Sequence, residues 1–207
     1  MMTPDNAKGV ICWDLDGVLL LRDHAHPGDW HAELNEIGAG ELYKRFEGGD
    51  PRWQQALRGQ TDLHASLASL AADMHLPPRI VKRALRIWHG RSSRCNHDLM
   101  EMLPAFKSAG WHNVVASNQD VHRAAAIRAY AWLDDVIDFW GFSCNFGHAK
   151  PERGFYTTLL EQAGLTHLPA IMIDDMAENL IEPKKLGWQT HHFSTLENAG
   201  DFLASLL

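Results

Sequence analysis

Residues 9–21, GVICWDLDGVLLL, decide how the rest of the chain is read. Val10 to Trp13 is a short apolar run. It stops at two aspartates two positions apart and a glycine, Asp14-Leu15-Asp16-Gly17. Such a run predicts a strand buried on both faces, as in a parallel sheet. The glycine lets the backbone turn sharply after the second acid. The stretch is too short, and too interrupted by acids, to span a membrane.

Four further apolar runs follow the same plan. Val114 to Ala116 leads into Ser-Asn-Gln, and Ile137 to Phe142 holds a third strand. Ala170 to Ile173 ends in Asp174-Asp175, and Gly187 to Phe193 supplies a fifth. Helical spacing fills the gaps. Asp98 to Ala109 puts Leu99, Met102, Leu103 and Phe106 on one face and stops at Gly110. Asp120 to Trp132 is a second helical stretch, and Glu152 to Ala163 starts behind Pro151 and ends at Gly164. Met176 to Leu186 ends at Gly187. This alternation predicts an α/β protein built on an open parallel sheet with right-handed crossovers.

One interval breaks the rhythm. About a hundred residues separate Asp14 from Ser117, far more than one crossover needs. Trp30 to Ile37, Glu41 to Phe46, Thr61 to Asp73 and Pro78 to His89 all carry helical patterns. The expected organisation is a core of residues 1–20 and 95–207, interrupted by a small all-helical domain over 21–94.

Composition narrows the function classes. The chain of 207 residues is 45% hydrophobic, enough for one substantial core and a small insert. A formal charge of −7 and the absence of basic clusters argue against nucleic acid as a partner. Cys12, Cys95 and Cys144 are few, odd in number and widely spaced, which points to free thiols in a reducing compartment. The beginning, MMTPDNAKG, has no basic segment followed by a long apolar one. A cytoplasmic protein without membrane contact is the expectation.

Open α/β sheets bind ligands beyond the carboxyl ends of their strands. The strand assignment brings Asp14, Asp16, Ser117, Asn118, Asp174 and Asp175 to that edge, with Lys150 in a loop beside them. Each piece alone has a commonplace structural use. Asp-x-Asp-Gly makes turns, Ser-Asn caps helices, a lysine before proline sits at the surface, and an acid after a strand caps the next helix. A calcium loop is a poor fit, because it wants a third alternating acid and a glycine at its sixth position. Together the pieces make an all-oxygen set suited to magnesium and phosphate, with cationic and hydroxyl groups to offset the remaining charge.

In this order, Asp-x-Asp-Gly-Val, strand-Ser-Asn, Lys-Pro and Asp-Asp-x-x-x-Asn resemble the four motifs of the haloacid dehalogenase-like hydrolase superfamily. The likeness spans essentially the whole chain. It is nearest to glucose-1-phosphatase-like members and to the phosphatase domain joined to epoxide hydrolases, through IDDMAENLIEPKKLGWQT (173–190) and LRGQTDLHASLASLAADMHLP (57–77). The resemblance implies a three-layer Rossmann-like core under a helical cap inserted after the first strand. It implies a Mg2+-dependent phosphatase working through an aspartyl-phosphate on a small phosphorylated metabolite, with sugar phosphates favoured. Asp14 is then nucleophile and metal ligand. Asp16 is general acid/base and lends its main-chain carbonyl to the metal, and Asp175 is the third protein ligand. Ser117, Asn118 and Lys150 hold the phosphoryl group, and Asp174 orients the site. Asn179 stands where many relatives have another acid.

Two other chemistries sit close to this expectation. Dehalogenases of the superfamily resemble the chain in the nucleophile but lack the second aspartate and need no metal, so Asp16 argues against carbon–halogen hydrolysis. A phosphoryl-transferring mutase needs a cap that excludes water. A binding protein with a vestigial site is the remaining class. Thirteen histidines supply no spacing expected of a zinc site. His191 and His192 are assigned structural roles, Cys12 beside the nucleophile is read as a buried inert thiol, and Trp13 is expected to pack under the site. Among the residues of the insertion, His24, Trp30 and Arg52 are the candidates for substrate contact. Oligomeric state leaves no mark in the sequence.

Overall fold

Five parallel strands form the central sheet of this computed structural model, which describes residues 7–21, 30–90, 94–129 and 133–207. In chain order the elements begin with β1 (Gly9–Trp13) and the two-residue β2 (Leu20–Leu21). Five helices follow: α1 (Trp30–Glu36), α2 (Gly40–Glu47), α3 (Pro51–Leu57), α4 (Leu63–Asp73) and α5 (Pro78–Gly90). The chain returns through β3 (Arg94–Cys95) and continues with α6 (His97–Ser108), β4 (Trp111–Ser117), α7 (Val121–Arg128), β5 (Phe139–Phe142) and α8 (Ser143–Phe146). It ends with α9 (Arg153–Ala163), β6 (Ala170–Asp174), α10 (Ile181–Lys185), β7 (Gln189–His192) and α11 (Leu196–Ala204).

The sheet order is β5-β4-β1-β6-β7. β1 is therefore central, flanked by β4 and β6 in parallel register. The chain builds outward to one side of β1, then crosses back to build the other. The crevice beside β1 is thus the switch point where such sheets take ligands. Side-chain alternation along β1 explains the layering. Ile11 and Trp13 pack into one buried cluster with Leu99, Leu103, Phe106, Ile127 and Leu203 from α6, α7 and α11. Val10 and Cys12 pack into the other with Phe155, Tyr156 and Leu159 of α9. A strand buried on both faces reads as a continuous apolar run, and β1 is buried at every position.

The interval between β2 and β3 has its own buried cluster, running from Leu34 through Phe46, Leu67 and Leu70 to Trp88. Its base is pinned by the antiparallel β2–β3 pair and by Asn96, whose Nδ2 donates to the Val18 carbonyl at 2.9 Å. No helix among the described residues is long and apolar enough to cross a membrane.

Several local expectations change. Helix α3 was not expected, although Asp50 caps it and Pro51 opens it. The third strand is β5 alone, shorter than 137–142, with Ile137 buried ahead of it. The stretch after Asp175 is not one helix: a 3-10 turn over Ala177–Leu180 precedes the short α10. Pro183 has no N–H to give the carbonyl of Asn179 four residues earlier, and the Tyr156 hydroxyl donates to that carbonyl instead at 2.6 Å. Helix α7 stops at Arg128, and residues 130–132 lie outside the described residues.

Asn113 ties the sheet to α6. It is fully buried, accepts from the Trp13 indole at 3.1 Å, and donates to the carbonyls of Leu103 and Val136 at 3.0 and 3.2 Å. Replacing it by alanine strands three buried polar groups. Asn113→Ala should cost roughly 2–4 kcal/mol in urea denaturation, whereas a change below about 0.5 kcal/mol would contradict this account of the network.

Candidate active site

Three adjacent strands deliver the polar groups, with the acids at the ends of β1 and β6. Asp14 follows β1, Ser117 ends β4 and Asp174 ends β6, with Asp175 next. Oxygens of Asp14, Asp174 and Asp175 lie within 4.8 Å of one another. Lys150 arrives from the loop before α9. Its Nζ stands 2.9 Å from Asp14 Oδ1 and 2.6 Å from Asp174 Oδ2. The ammonium and both carboxylates are nearly out of solvent, with Lys150 6%, Asp14 5% and Asp174 0% exposed.

The Asp174 carboxylate is saturated by protein. Its Oδ2 takes the lysine, while Oδ1 accepts from the Met176 amide at 2.8 Å and from Asn179 Nδ2 at 2.9 Å. It therefore fits an orienting role, and Asn179 acts on it from behind. Asp14 Oδ1 accepts from the Leu15 amide at 2.7 Å as well as from Lys150, leaving Oδ2 for a ligand. Asp175 packs its carboxylate against Gly17. A Cβ there would collide with both carboxylate oxygens, and φ is +99°. The glycine of DLDG is thus required by an acid more than 150 positions further on. His192 Nε2 lies 2.9 Å from the Asp175 carbonyl, holding that backbone from β7.

Burial pushes the Asp14 carboxyl up to about 7, against the pull of Lys150, whose charge is shared with Asp174. The lysine itself is held above its ordinary value: burial lowers it, but Asp14 and Asp174 together outweigh that. Burial drives the Cys12 thiol far upward, so it is an inert neighbour.

The remaining sequence candidates are placed as follows. The Asn118 side chain clamps the Lys150 backbone, donating to its carbonyl at 2.9 Å and accepting from its amide at 2.8 Å. Its main-chain N–H is what remains for an anion. Ser117 is buried beside Gln119, whose Nε2 donates to its Oγ at 3.0 Å. Asp16 is held from α7 and the preceding loop: Arg123 Nη2 reaches Oδ1 at 2.5 Å and Gln119 Nε2 reaches Oδ2 at 2.8 Å. Sequence reasoning passed over Gln119 and Arg123. The signal was their position, directly after Ser-Asn and one turn into the next helix. Arg52 is bound within the insertion to Asp50, Ser69 and Asp73, and none of its hydrogen bonds reaches the sheet edge. His24 and the Trp30 side chain lie outside the described residues. Trp13 and Cys12 are buried on opposite faces of β1, and His191 stacks on Phe202 with centroids 4.3 Å apart.

The donors suit a hard divalent cation. Oxygens of three carboxylates lie together, and two of these acids pair with one ammonium in a nearly dry volume. Oxygen donors with room for water favour magnesium over a softer metal.

Solved structures share this architecture. A predicted haloacid dehalogenase-like family hydrolase from Porphyromonas gingivalis superposes with a TM-score of 0.73 at 20% identity, over 96% of this chain and 97% of that one. A haloacid dehalogenase family enzyme from Bacteroides thetaiotaomicron, solved with magnesium and inorganic phosphate, gives 0.70 at 18% identity, over 88% and 92%. The L-2-haloacid dehalogenase of Xanthobacter autotrophicus, solved with chloropropionic acid covalently bound, gives 0.60 at 16%, over 96% and 83%. At these identities the likeness speaks for the fold alone. A family model, however, matches residues 9–187, which include every acid of the cluster and the lysine between them, and by that match the chain belongs to the haloacid dehalogenase-like hydrolases.

Proposed function

We propose that the protein is a Mg2+-dependent phosphomonoester hydrolase acting on a small phosphorylated metabolite through an aspartyl-phosphate on Asp14. The observation that carries this is the convergence of Asp14, Asp174 and Asp175 on a buried Lys150 at the carboxyl edge of the sheet. Asp14, Asp175 and the main-chain carbonyl of Asp16 would hold the ion. Bound there, magnesium supplies charge neutralisation for the transferring phosphoryl oxygens.

The chain's own groups do the rest. Asp14 is the nucleophile, its orientation held by the Leu15 amide and Lys150. Lys150, Ser117 and main-chain N–H groups bind the phosphoryl oxygens. Asp16 protonates the leaving oxygen, then takes a proton from the water that hydrolyses the acyl phosphate. Arg123 and Gln119 position its carboxylate. The helical insertion serves as the cap that sets substrate choice, with sugar phosphates placed first by likeness to glucose-1-phosphatase-like relatives. Arg52 braces that cap rather than meeting substrate. Three unpaired thiols fit a cytoplasmic setting.

The haloacid dehalogenase among the similar folds gives carbon–halogen hydrolysis standing as a second reading. Asp16, with its two dedicated partners, favours phosphoryl transfer, where an acid/base is needed at both steps. Release of phosphate from an aryl phosphate in the presence of Mg2+, and no halide from 2-chloropropionate, is the expected pair of results. Asp14→Asn should lower kcat about a thousandfold or more while the thermal transition stays in place or rises. Near-normal turnover in that variant would remove Asp14 as nucleophile.

A pH dependence follows from the raised Asp14 carboxyl. Metal binding requires the carboxylate, so below about pH 7 the ion must displace a proton. Apparent Mg2+ affinity should rise about tenfold per pH unit up to that point and then level off. Calorimetric titrations across about pH 5.5–8.5 check this, and a flat profile would contradict it.

A further inference from the structure

A second group of metal-ligating side chains lies away from the aspartate cluster. Asp62 and His64 come from the start of α4 in the helical insertion, and His122 from the start of α7 beside the sheet. One ligand atom from each lies within 4.8 Å of the other two. Asp62 Oδ2 is 2.6 Å from His122 Nε2, and the His64 and His122 rings stack with centroids 3.8 Å apart and planes 5° from parallel.

We propose that Asp62, His64 and His122 form a binding site for a borderline divalent transition ion, of which Zn2+ is the representative. Two imidazoles and a carboxylate are the donor set such ions prefer, while magnesium prefers the all-oxygen cluster. Two of the three donors are held by their own local structure. Asp62 Oδ1 accepts from the Ala65 amide at 2.9 Å as the cap of α4, leaving Oδ2 toward His122. The amide of His122 donates to Asp120 Oδ1 at 2.9 Å, which fixes the backbone that presents the ring. Tetrahedral zinc with bonds of about 2.0–2.1 Å needs ligand atoms roughly 3.3 Å apart, and imidazole donates in its ring plane, so the two stacked rings must swing out of parallel to close on an ion, which their partial exposure allows.

One term opposes binding. Two helix N-termini point their positive ends here, which disfavours a cation. Asp62 and the buried Asp120 offset it. Because the ligands come from both sides of the seam, an occupied site clamps the insertion to the sheet domain. It joins two contacts already there, the Arg58–Glu152 ion pair and the approach of Gly59 to the Cys144 carbonyl. It also stiffens α7, which carries Arg123 to Asp16.

The test titrates Zn2+ into the full chain in excess Mg2+, in wild type and in Asp14→Asn, with hydrogen exchange read on the same samples. Both proteins should bind one Zn2+ equally, with slower exchange at 58–65 and 119–124 together. His64→Ala, His64→Gln and His122→Ala should each weaken that binding at least tenfold while keeping the wild-type thermal transition. Zinc binding that is absent, that disappears in Asp14→Asn, or that stays within twofold in all three histidine variants would overturn the proposal.

Discussion

A buried ammonium between two buried carboxylates is the constraint around which the rest is arranged. Lys150 cannot be ionised in a dry site without Asp14 and Asp174, and neither acid can be ionised there without it. The protein satisfies all three with fixed partners. Asn118 holds the lysine's backbone, the Leu15 amide holds Asp14, and Met176 and Asn179 hold Asp174. Oxygens of Asp14, Asp174 and Asp175 lie within 4.8 Å of one another, and such an all-oxygen group suits a hard divalent cation.

Topology makes this possible. β1 is central, so the ends of β4 and β6 both abut the loop after Trp13. The acids, distant in sequence, meet at one edge, and Lys150 and Arg123 reach them from neighbouring elements. The same loop must also admit the Asp175 carboxylate, and Gly17 is the residue that leaves room for it. The placement of the acids therefore depends on a missing side chain as much as on those present.

Much of this was legible in the chain. Apolar runs ending in acids or Ser-Asn marked β1, β4 and β6, because a strand buried on both faces leaves a one-dimensional trace. Helix ends at Gly164 and Gly187 were legible because a left-handed backbone there suits glycine. Roles settled by three-dimensional partners were not. Asn118 looks like an anion ligand in sequence, but its amide is spent on the Lys150 backbone. Gln119 and Arg123 look like ordinary loop and helix residues until Asp16 is seen between them. Arg52 looked free for substrate, yet Asp50 and Asp73 engage it inside the insertion. The histidines showed no zinc spacing because their ligand set spans the insertion and the sheet domain.

In the proposed function, Asp14 and Asp175 share one divalent cation at the rim of the sheet. Anomalous diffraction from crystals soaked in Mn2+, a magnesium substitute with a measurable signal, addresses it directly. One strong peak bonded to carboxylate oxygens of Asp14 and Asp175 and to the Asp16 carbonyl is the predicted outcome. A map with no peak among those acids, in crystals whose metal binds elsewhere on the chain, would contradict it.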